Sequence, residues 1–335
     1  MSKVSTLGRL LVALCFVSLC CGAVLGASSE FDVVQAAADA WLSSGDAPNI
    51  TAQDLFANLN DGDASNDPFI LSVRSASQYE LGHIPGAVNI PWREVAQTDN
   101  LATLPTDTQI VVYCFTGHTG SQVTALLNAL GYDAINLKFG MTSWVIDQEI
   151  APGRYDEIKD CKDYPYETEV VLLTETYAYP ELNNTESDEA FDIVQAAADA
   201  WLSSGDAPNI TAQDLFANLN DGDASNDPFI LSVRSASQYE LGHIPGAVNI
   251  PWREAAQTDN LATLPTDTQI VVYCFTGHTG SQITALLSGL GYNAINLKFG
   301  MTSWVIDPEI APGRYDEIKD CKDYPYVEGA EPGSL

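Results

Sequence analysis

At 335 residues and 46% apolar, the chain is long enough for two ordinary domains and too apolar for a disordered polyelectrolyte. Its 45 acidic residues against 14 basic ones give a formal charge of −31. That balance excludes nucleic acid as a partner, because such binding rests on clustered Lys and Arg, and it suits a saline medium that screens self-repulsion.

The N-terminus stands apart. Lys3 and Arg9 precede an apolar run from Leu10 to Leu25, and Gly26-Ala27-Ser28-Ser29 follow. This is the order of a secretory signal peptide, and residues 1–27 are read as one, with cleavage near Gly26 or Ala27. An uncleaved or lipidated leader would hold the chain at a membrane, but the run of about 16 residues is short for a span. Either way the bulk of the protein is expected outside the cytoplasm, in a periplasmic, pseudoperiplasmic or extracellular space. Cys15, Cys20 and Cys21 belong to the leader, which leaves Cys114, Cys161, Cys274 and Cys321. No CxxC pair occurs among these four, so neither a zinc site nor a thioredoxin-type motif is expected.

The remainder is one unit written twice. Phe31 to Tyr166 aligns without gaps on Phe191 to Tyr326 at an offset of 160, with seven differences, all mild. So long a period means tandem domains (31–166 and 191–326), not a solenoid. Residues 167–190 form an acidic connector with no basic residue. Val170 to Leu173 in it has the composition to add an edge strand or pack on a domain, and the rest reads as solvated linker. Residues 327–335 are a short tail. Asn49-Ile50-Thr51, Asn183-Asn184-Thr185 and Asn209-Ile210-Thr211 match the N-glycosylation acceptor pattern.

Within one copy, Phe31 to Leu42 has helical apolar spacing, and Thr51 caps a helix over Ala52 to Leu59. Asp61 to Pro68 is a loop whose acids lack the Gly and terminal Glu of an EF-hand, so no metal is expected there. Phe69 to Val73 is a strand, Ala76 to Leu81 a short helix and Ala87 to Ile90 a strand. The Ile110 to Tyr113 strand, an amphipathic helix over Ser121 to Leu130, a strand over Ala134 to Leu137 and a helix near Met141 to Val145 follow. Short apolar strands alternating with helices predict an α/β domain with a mainly parallel sheet flanked by helices, twice over. Ligands of such sheets bind beyond the strands' carboxyl ends.

Cys114 sits at one such end. The stretch Val111-Val112-Tyr113-Cys114-Phe115-Thr116-Gly117-His118-Thr119-Gly120-Ser121 delivers a cysteine from a β-branched strand into a short loop that opens a helix, and Val271 to Ser281 repeats it around Cys274. Backbone N–H groups and a positive dipole end there favour a thiolate and a bound anion. Gly117 and Gly277 permit the tight curve, Thr116, Thr119, Thr276 and Thr279 offer hydroxyl donors, and Phe115, Gly120, Phe275 and Gly280 complete the cradles. His118 and His278 are the loops' other titratable groups, suited to a donor or local-charge role or simply to solvent. His83 in its Gly-His-Ile-Pro turn is read as bonding backbone, and Trp92 and Trp144 as core or pocket wall.

Taken in order, Phe69-Ile70-Leu71-Ser72-Val73-Arg74, Gln78-Tyr79, Gly82-His83-Ile84-Pro85-Gly86-Ala87-Val88-Asn89-Ile90-Pro91, the cysteine loop and Gly140-Met141-Thr142-Ser143-Trp144 resemble the rhodanese family. The resemblance runs from about Asn49 to Val145 and again from Asn209 to Val305, with Phe31–Leu42 and Asp147–Tyr166 as additions. It implies sulfur transfer without a cofactor: Cys114 and Cys274 attack a sulfane donor, become persulfides and pass the sulfur to a thiol or cyanide-like acceptor, or to a protein. Departures from the pattern shape the expectation. Ser72 and Gln78 stand where the family usually has acids, which leaves Arg74, and Arg234 with it, to make other hydrogen bonds in a supporting structural role or to face an anion. Neutral Phe115 and Thr116 replace the cations of thiosulfate-preferring members, which leaves thiosulfate, polysulfide and protein persulfide open as donors.

Two rivals remain. A related phosphatase needs Cys-x5-Arg to clamp phosphate, and Gly120 and Gly280 occupy that arginine's place. A non-catalytic, extracytoplasmic persulfide carrier or partner-binding module is the alternative of another class. Cys161 and its repeat Cys321, in a charged segment, are read as a structural bridge or as resolving thiols that meet the loop cysteines.

Overall fold

The structure, a computed structural model, describes residues 28–333; the leader, its cleavage or anchoring and Cys15, Cys20 and Cys21 lie outside these residues. Among the described residues, no helix is long and apolar enough to cross a membrane.

The first repeat runs α1 (Glu30–Ser43), β1 (Asn49–Ile50), α2 (Ala52–Leu59), β2 (Phe69–Ser72), α3 (Ala76–Leu81), β3 (Val88–Asn89), α4 (Thr98–Leu101), β4 (Ile110–Tyr113), α5 (His118–Ala129), β5 (Ala134–Leu137) and α6 (Glu157–Asp160), with 3-10 turns at Trp92–Glu94 and Gly140–Ser143. The second runs α7 (Ala190–Ser203), β6 (Asn209–Ile210), α8 (Ala212–Leu219), β7 (Phe229–Ser232), α9 (Ala236–Leu241), β8 (Val248–Asn249), α10 (Thr258–Leu261), β9 (Ile270–Tyr273), α11 (His278–Gly289), β10 (Ala294–Leu297), α12 (Met301–Trp304) and α13 (Glu317–Asp320). Each repeat forms a five-stranded sheet, in the orders β1-β5-β4-β2-β3 and β6-β10-β9-β7-β8, and every strand pair is parallel. Two parallel five-stranded sheets flanked by helices are the fold that the alternation of elements predicts.

Local chemistry explains the elements. Ser29 caps α1 with a reciprocal box to Asp32, and the Thr51 hydroxyl accepts the Asp54 N–H at the start of α2; each such cap is worth about 1 kcal/mol. Strand β4 is buried on both faces. Ile110, Val112 and Cys114 point into one apolar cluster, while Val111 and Tyr113 point into another with Trp144 and Ile84. That alternation is the two-residue pleat of a central parallel strand.

The repeats are not beads on a linker. The cluster behind β4 continues without a break into the one behind β9, joining Phe31, Val34, Ala38 and Leu126 to Ile193, Val194, Ala198 and Leu286. Helix α5 therefore differs from the amphipathic expectation. It starts at His118, three residues early, and Ser121, Gln122 and Thr124 are as buried as Val123 and Leu127, because α11 covers its second face. Some polar groups pair across this seam. Gln35 Nε2 donates to Ala256 O at 2.7 Å, and Gln195 Nε2 to Ala96 O at 2.7 Å. Arg253 donates to Leu42 O and Asp46 O at the end of α1, and Arg93 does the same to Leu202 O and Asp206 O after α7, cations placed on orphan helix carbonyls.

The additions outside the family-like core exchange places. Tyr324, from the second repeat, stacks on Phe56 of the first with centroids 4.0 Å apart, and Trp144 Nε1 donates to Pro325 O at 2.7 Å. Tyr164 stacks on Phe216 and Trp304 Nε1 donates to Pro165 O, so each repeat's end covers the other's core. The connector is less solvated than its composition suggests. Val171 bridges Val248 in parallel, Tyr179 stacks on Phe31 at 4.6 Å and Leu182 packs on the shared cluster, because these side chains carry apolar area that the seam can bury. Of the three glycosylation acceptor asparagines, Asn49 and Asn209 are half-buried in edge strands and Asn183 is exposed.

Candidate functional site

Each cysteine emerges from its central strand at the sheet's carboxyl end. Cys114 is 5% and Cys274 4% exposed. Gly117 N–H donates to Cys114 Sγ at 3.1 Å, and Gly277 N–H to Cys274 Sγ at 3.2 Å. Gly117 is the N-cap of α5 in the left-handed region, φ 83°, so the curve needs glycine. One amide thus faces the sulfur directly, at the positive end of a twelve-residue helix. His118, Thr119 and Gly120 form that helix's first turn rather than the loop expected from sequence, since the helix begins as soon as Gly117 reverses the chain.

Gly120 answers the phosphatase question geometrically. A Cβ there would come within 2.7 Å of Asn136 Oδ1 and 3.3 Å of the Cys114 amide, and Gly280 meets Asn296 and Cys274 in the same way. A side chain at this position would have to displace the Asn136 carboxamide and crowd the Cys114 backbone.

His118 is 2% exposed, which rules out the solvated reading. Its Nδ1 pairs with Thr116 Oγ1 at 2.7 Å, and its Nε2 accepts the Phe299 N–H of the other repeat at 3.1 Å. His278 mirrors this with Thr276 Oγ1 at 2.8 Å and the Phe139 N–H at 3.2 Å. Phe139 and Phe299 hold positive φ, 62° and 61°, a strained conformation that aims their N–H groups across the seam. Burial above all, then the facing His278 and Lys298, holds His118 well below the usual imidazole range, against the opposing carbonyl of Thr276. Burial depresses His278 likewise, with Lys138 adding to it and the Thr116 carbonyl opposing. Both rings are therefore neutral near pH 7, and the local-charge role does not fit them. The Thr116 hydroxyl is taken by His118 instead of facing the thiol.

A pocket of about 340 Å³ opens at Cys114, lined by Phe115, Thr116, His118, Thr119, Pro152 and Gly153 from its own repeat and by Asn209 and Lys298 from the other. This is the size of a small-molecule site. Lys298 and Asn209 escaped the reading from sequence, since their neighbours there belong to the other repeat. The available signal was that the stretch matching the family holds one lysine per copy, Lys138 and Lys298, just past a buried strand.

Other candidates lie apart from the thiols. The Arg74 guanidinium is buried and donates to Gly82 O at 2.7 Å, Ile150 O at 3.4 Å and Ser72 Oγ at 3.3 Å, and Arg234 repeats these bonds. It braces the loops beneath the site. His83 bonds the carbonyls of Tyr79 and Glu331, and Trp144 is core. Cys161 and Cys321 are free and buried. They share a cluster with Phe139, Tyr155, Phe299 and Tyr315, while Cys114 and Cys274 lie in the seam cluster. The structure thus groups Cys161 with Cys321 and leaves it out of the Cys114 pocket. Among the described residues, no group of His, Cys, Asp and Glu is arranged to hold a metal.

Several known proteins are similar in sequence to part of this chain. The thiosulfate sulfurtransferase PspE of Escherichia coli is 31% identical over 71 residues, covering 21% of this chain and 68% of PspE. The adenylyltransferase and sulfurtransferase uba4 of Ogataea parapolymorpha is 30% identical over 103 residues, 30% of this chain and 26% of that protein. The HTH-type transcriptional regulator Rv0324 of Mycobacterium tuberculosis is 36% identical over 115 residues, 34% of this chain and 47% of that protein. The chain thus spans half or less of the last two relatives' length. Among solved structures, a rhodanese-like domain protein from Staphylococcus aureus is 28% identical with a TM-score of 0.26, covering 28% of this chain and 88% of that one. The family model of the rhodanese-like domain matches residues 51–147 and 211–307. With more than half of its length matched, once in each repeat, the chain belongs to the rhodanese-like domain family.

Proposed function

We propose that the protein is a sulfurtransferase that carries sulfane sulfur through persulfides on Cys114 and Cys274. The observation that carries this reading is the duplicated placement of a thiol at the sheet's carboxyl end, held by one helix-capping amide, with the first copy opening on a small-molecule pocket. A thiolate at Cys114 attacks the outer sulfur of the donor. A new S–S bond forms, the bond to the donor's remainder breaks, and its electron pair leaves as sulfite, a thiolate or a shorter polysulfide. A thiol or cyanide-like acceptor then attacks the outer sulfur, and the S–S electron pair returns to Cys114. The Gly117 N–H and the helix end stabilise the sulfur anion before and after transfer. No cofactor enters the cycle. The leader's composition supports an exported protein, which would meet donor and acceptor outside the cytoplasm.

The test is turnover of thiosulfate, polysulfide and 3-mercaptopyruvate by the full chain, Cys114→Ser, Cys274→Ser and the double variant. Each single variant should keep roughly half of the activity and the double variant none. Activity surviving in the double variant overturns the reading, whereas a stable persulfide without turnover identifies a sulfur carrier.

A further inference from the structure

We propose that each cysteine site takes its anion-selecting cation from the opposite repeat, Lys298 serving Cys114 and Lys138 serving Cys274. The kinetic part of this proposal rests on the sulfur-transfer reading; the chemical part does not.

Three independent observations converge. First, Lys298 lines the pocket at Cys114, and Lys138, the lysine of that same repeat, does not. Second, the charge of Lys298 acts on His118 and that of Lys138 on His278, so the same crossing appears at both loops. Third, the backbone dictates it. Lys298 N–H is tied to Ile210 O at 2.9 Å, Phe299 turns with positive φ and lays its ring edge-on against His118 at 5.1 Å, and the Lys298 ammonium sits 4.9 Å from the centre of that ring. Lys138 and Phe139 repeat this toward His278.

The need for such a cation is physical. A net charge of −31 repels anions, both loops are neutral after the cysteine, and the Arg74 guanidinium is bound to carbonyls. Among the described residues, the ion pairs involve Arg154, His243 and Arg314, and none involves Lys138 or Lys298. Half-buried ammonium groups without a carboxylate partner remain to meet a charged sulfur compound. Each lysine is a specificity-determining residue, and neither repeat holds a complete site alone.

The test uses full-length single-site chains, Cys274→Ser to isolate Cys114 and Cys114→Ser to isolate Cys274. In each, the remaining loop thiol is alkylated with anionic iodoacetate and neutral iodoacetamide, and the rates are read by mass spectrometry of its peptide. The ratio of the two rates cancels changes in accessibility. In the Cys274→Ser chain, Lys298→Ala should lower the iodoacetate-to-iodoacetamide ratio at Cys114 by about fivefold, the effect of one partly screened charge nearby. Lys298→Arg should restore it, and Lys138→Ala should have the smaller effect. In the Cys114→Ser chain the order should reverse. With thiosulfate as substrate, the opposite-repeat lysine should act on KM more than on kcat. A larger effect from the same-repeat lysine, or no change in ratio from either, overturns the proposal. If wild type turns over no sulfur donor, the sulfur-transfer reading fails while the alkylation ratios still decide the lysine assignment.

Discussion

The imidazoles of His118 and His278 stack across the seam between the repeats, centroids 5.4 Å apart and planes 10° from parallel. Each accepts an N–H from the other repeat's strained phenylalanine, so the two cysteine loops are built as one object.

That pair predicts acid sensitivity. Both imidazoles have folded-state pKa values depressed below the unfolded value of roughly 6.5. As pH falls below 6.5 the unfolded chain binds protons that the folded one refuses, so stability present above pH 6.5 is lost toward the folded pKa. The loss is about 1.4 kcal/mol per pH unit for each histidine. Urea unfolding at pH 7.5 and 5.5 should show it, and His118→Gln with His278→Gln should flatten the dependence. An equally steep slope in the double variant would remove the histidines as its source.

Gly117→Ala should damage both repeats at once. Its φ of 83° disfavours a side chain by about 1–2 kcal/mol, and the added Cβ would lie 2.6 Å from His278 Nε2. We expect loss of transfer at Cys114, a lower midpoint of thermal unfolding and altered His278 resonances in NMR spectra. Gly45→Ala, at a similar φ with nothing nearby, should pay only the backbone cost and leave the histidine signals in place.

Tyr324→Ala should loosen the repeat it does not belong to. The ring stacks on Phe56 and lies beside Trp144, and its removal should cost about 2 kcal/mol in buried area and ring contact. Amide exchange should accelerate in α2 and around Trp144 more than in α8 and around Trp304. Tyr164→Ala should give the converse pattern.

Thiol reactivity should divide the four cysteines of the described residues into two classes. Burial pushes the Cys161 and Cys321 thiols up, while Cys114 borders an open pocket. Iodoacetamide at pH 7.5 should label Cys114 well before Cys161 and Cys321, and mass spectrometry without reductant should find Cys161 and Cys321 as free thiols. A Cys161–Cys321 or Cys161–Cys114 linkage in that spectrum would contradict the arrangement.

Local pattern alone carried a good deal. The β-branched apolar run Ile110–Tyr113, the Thr51 cap and the position of Cys114 before Gly117 are encoded within a few residues of themselves, so strands, helices and thiol loop were legible. The 160-residue period and the glycine in the arginine place of a phosphatase were equally plain. What no local pattern could show is the relation between the copies. The burial of Gln122 and Thr124, the neutrality of His118, the shared apolar cluster of the free Cys161 and Cys321 and the presence of Lys298 in the Cys114 pocket all depend on contacts between residues more than a hundred positions apart. Sequence alone therefore dictated where a strand delivers a thiol into a helix-opening loop, while the loop's walls, its histidine's neutrality and the lysine lining its pocket were decided by the packing of one repeat against the other.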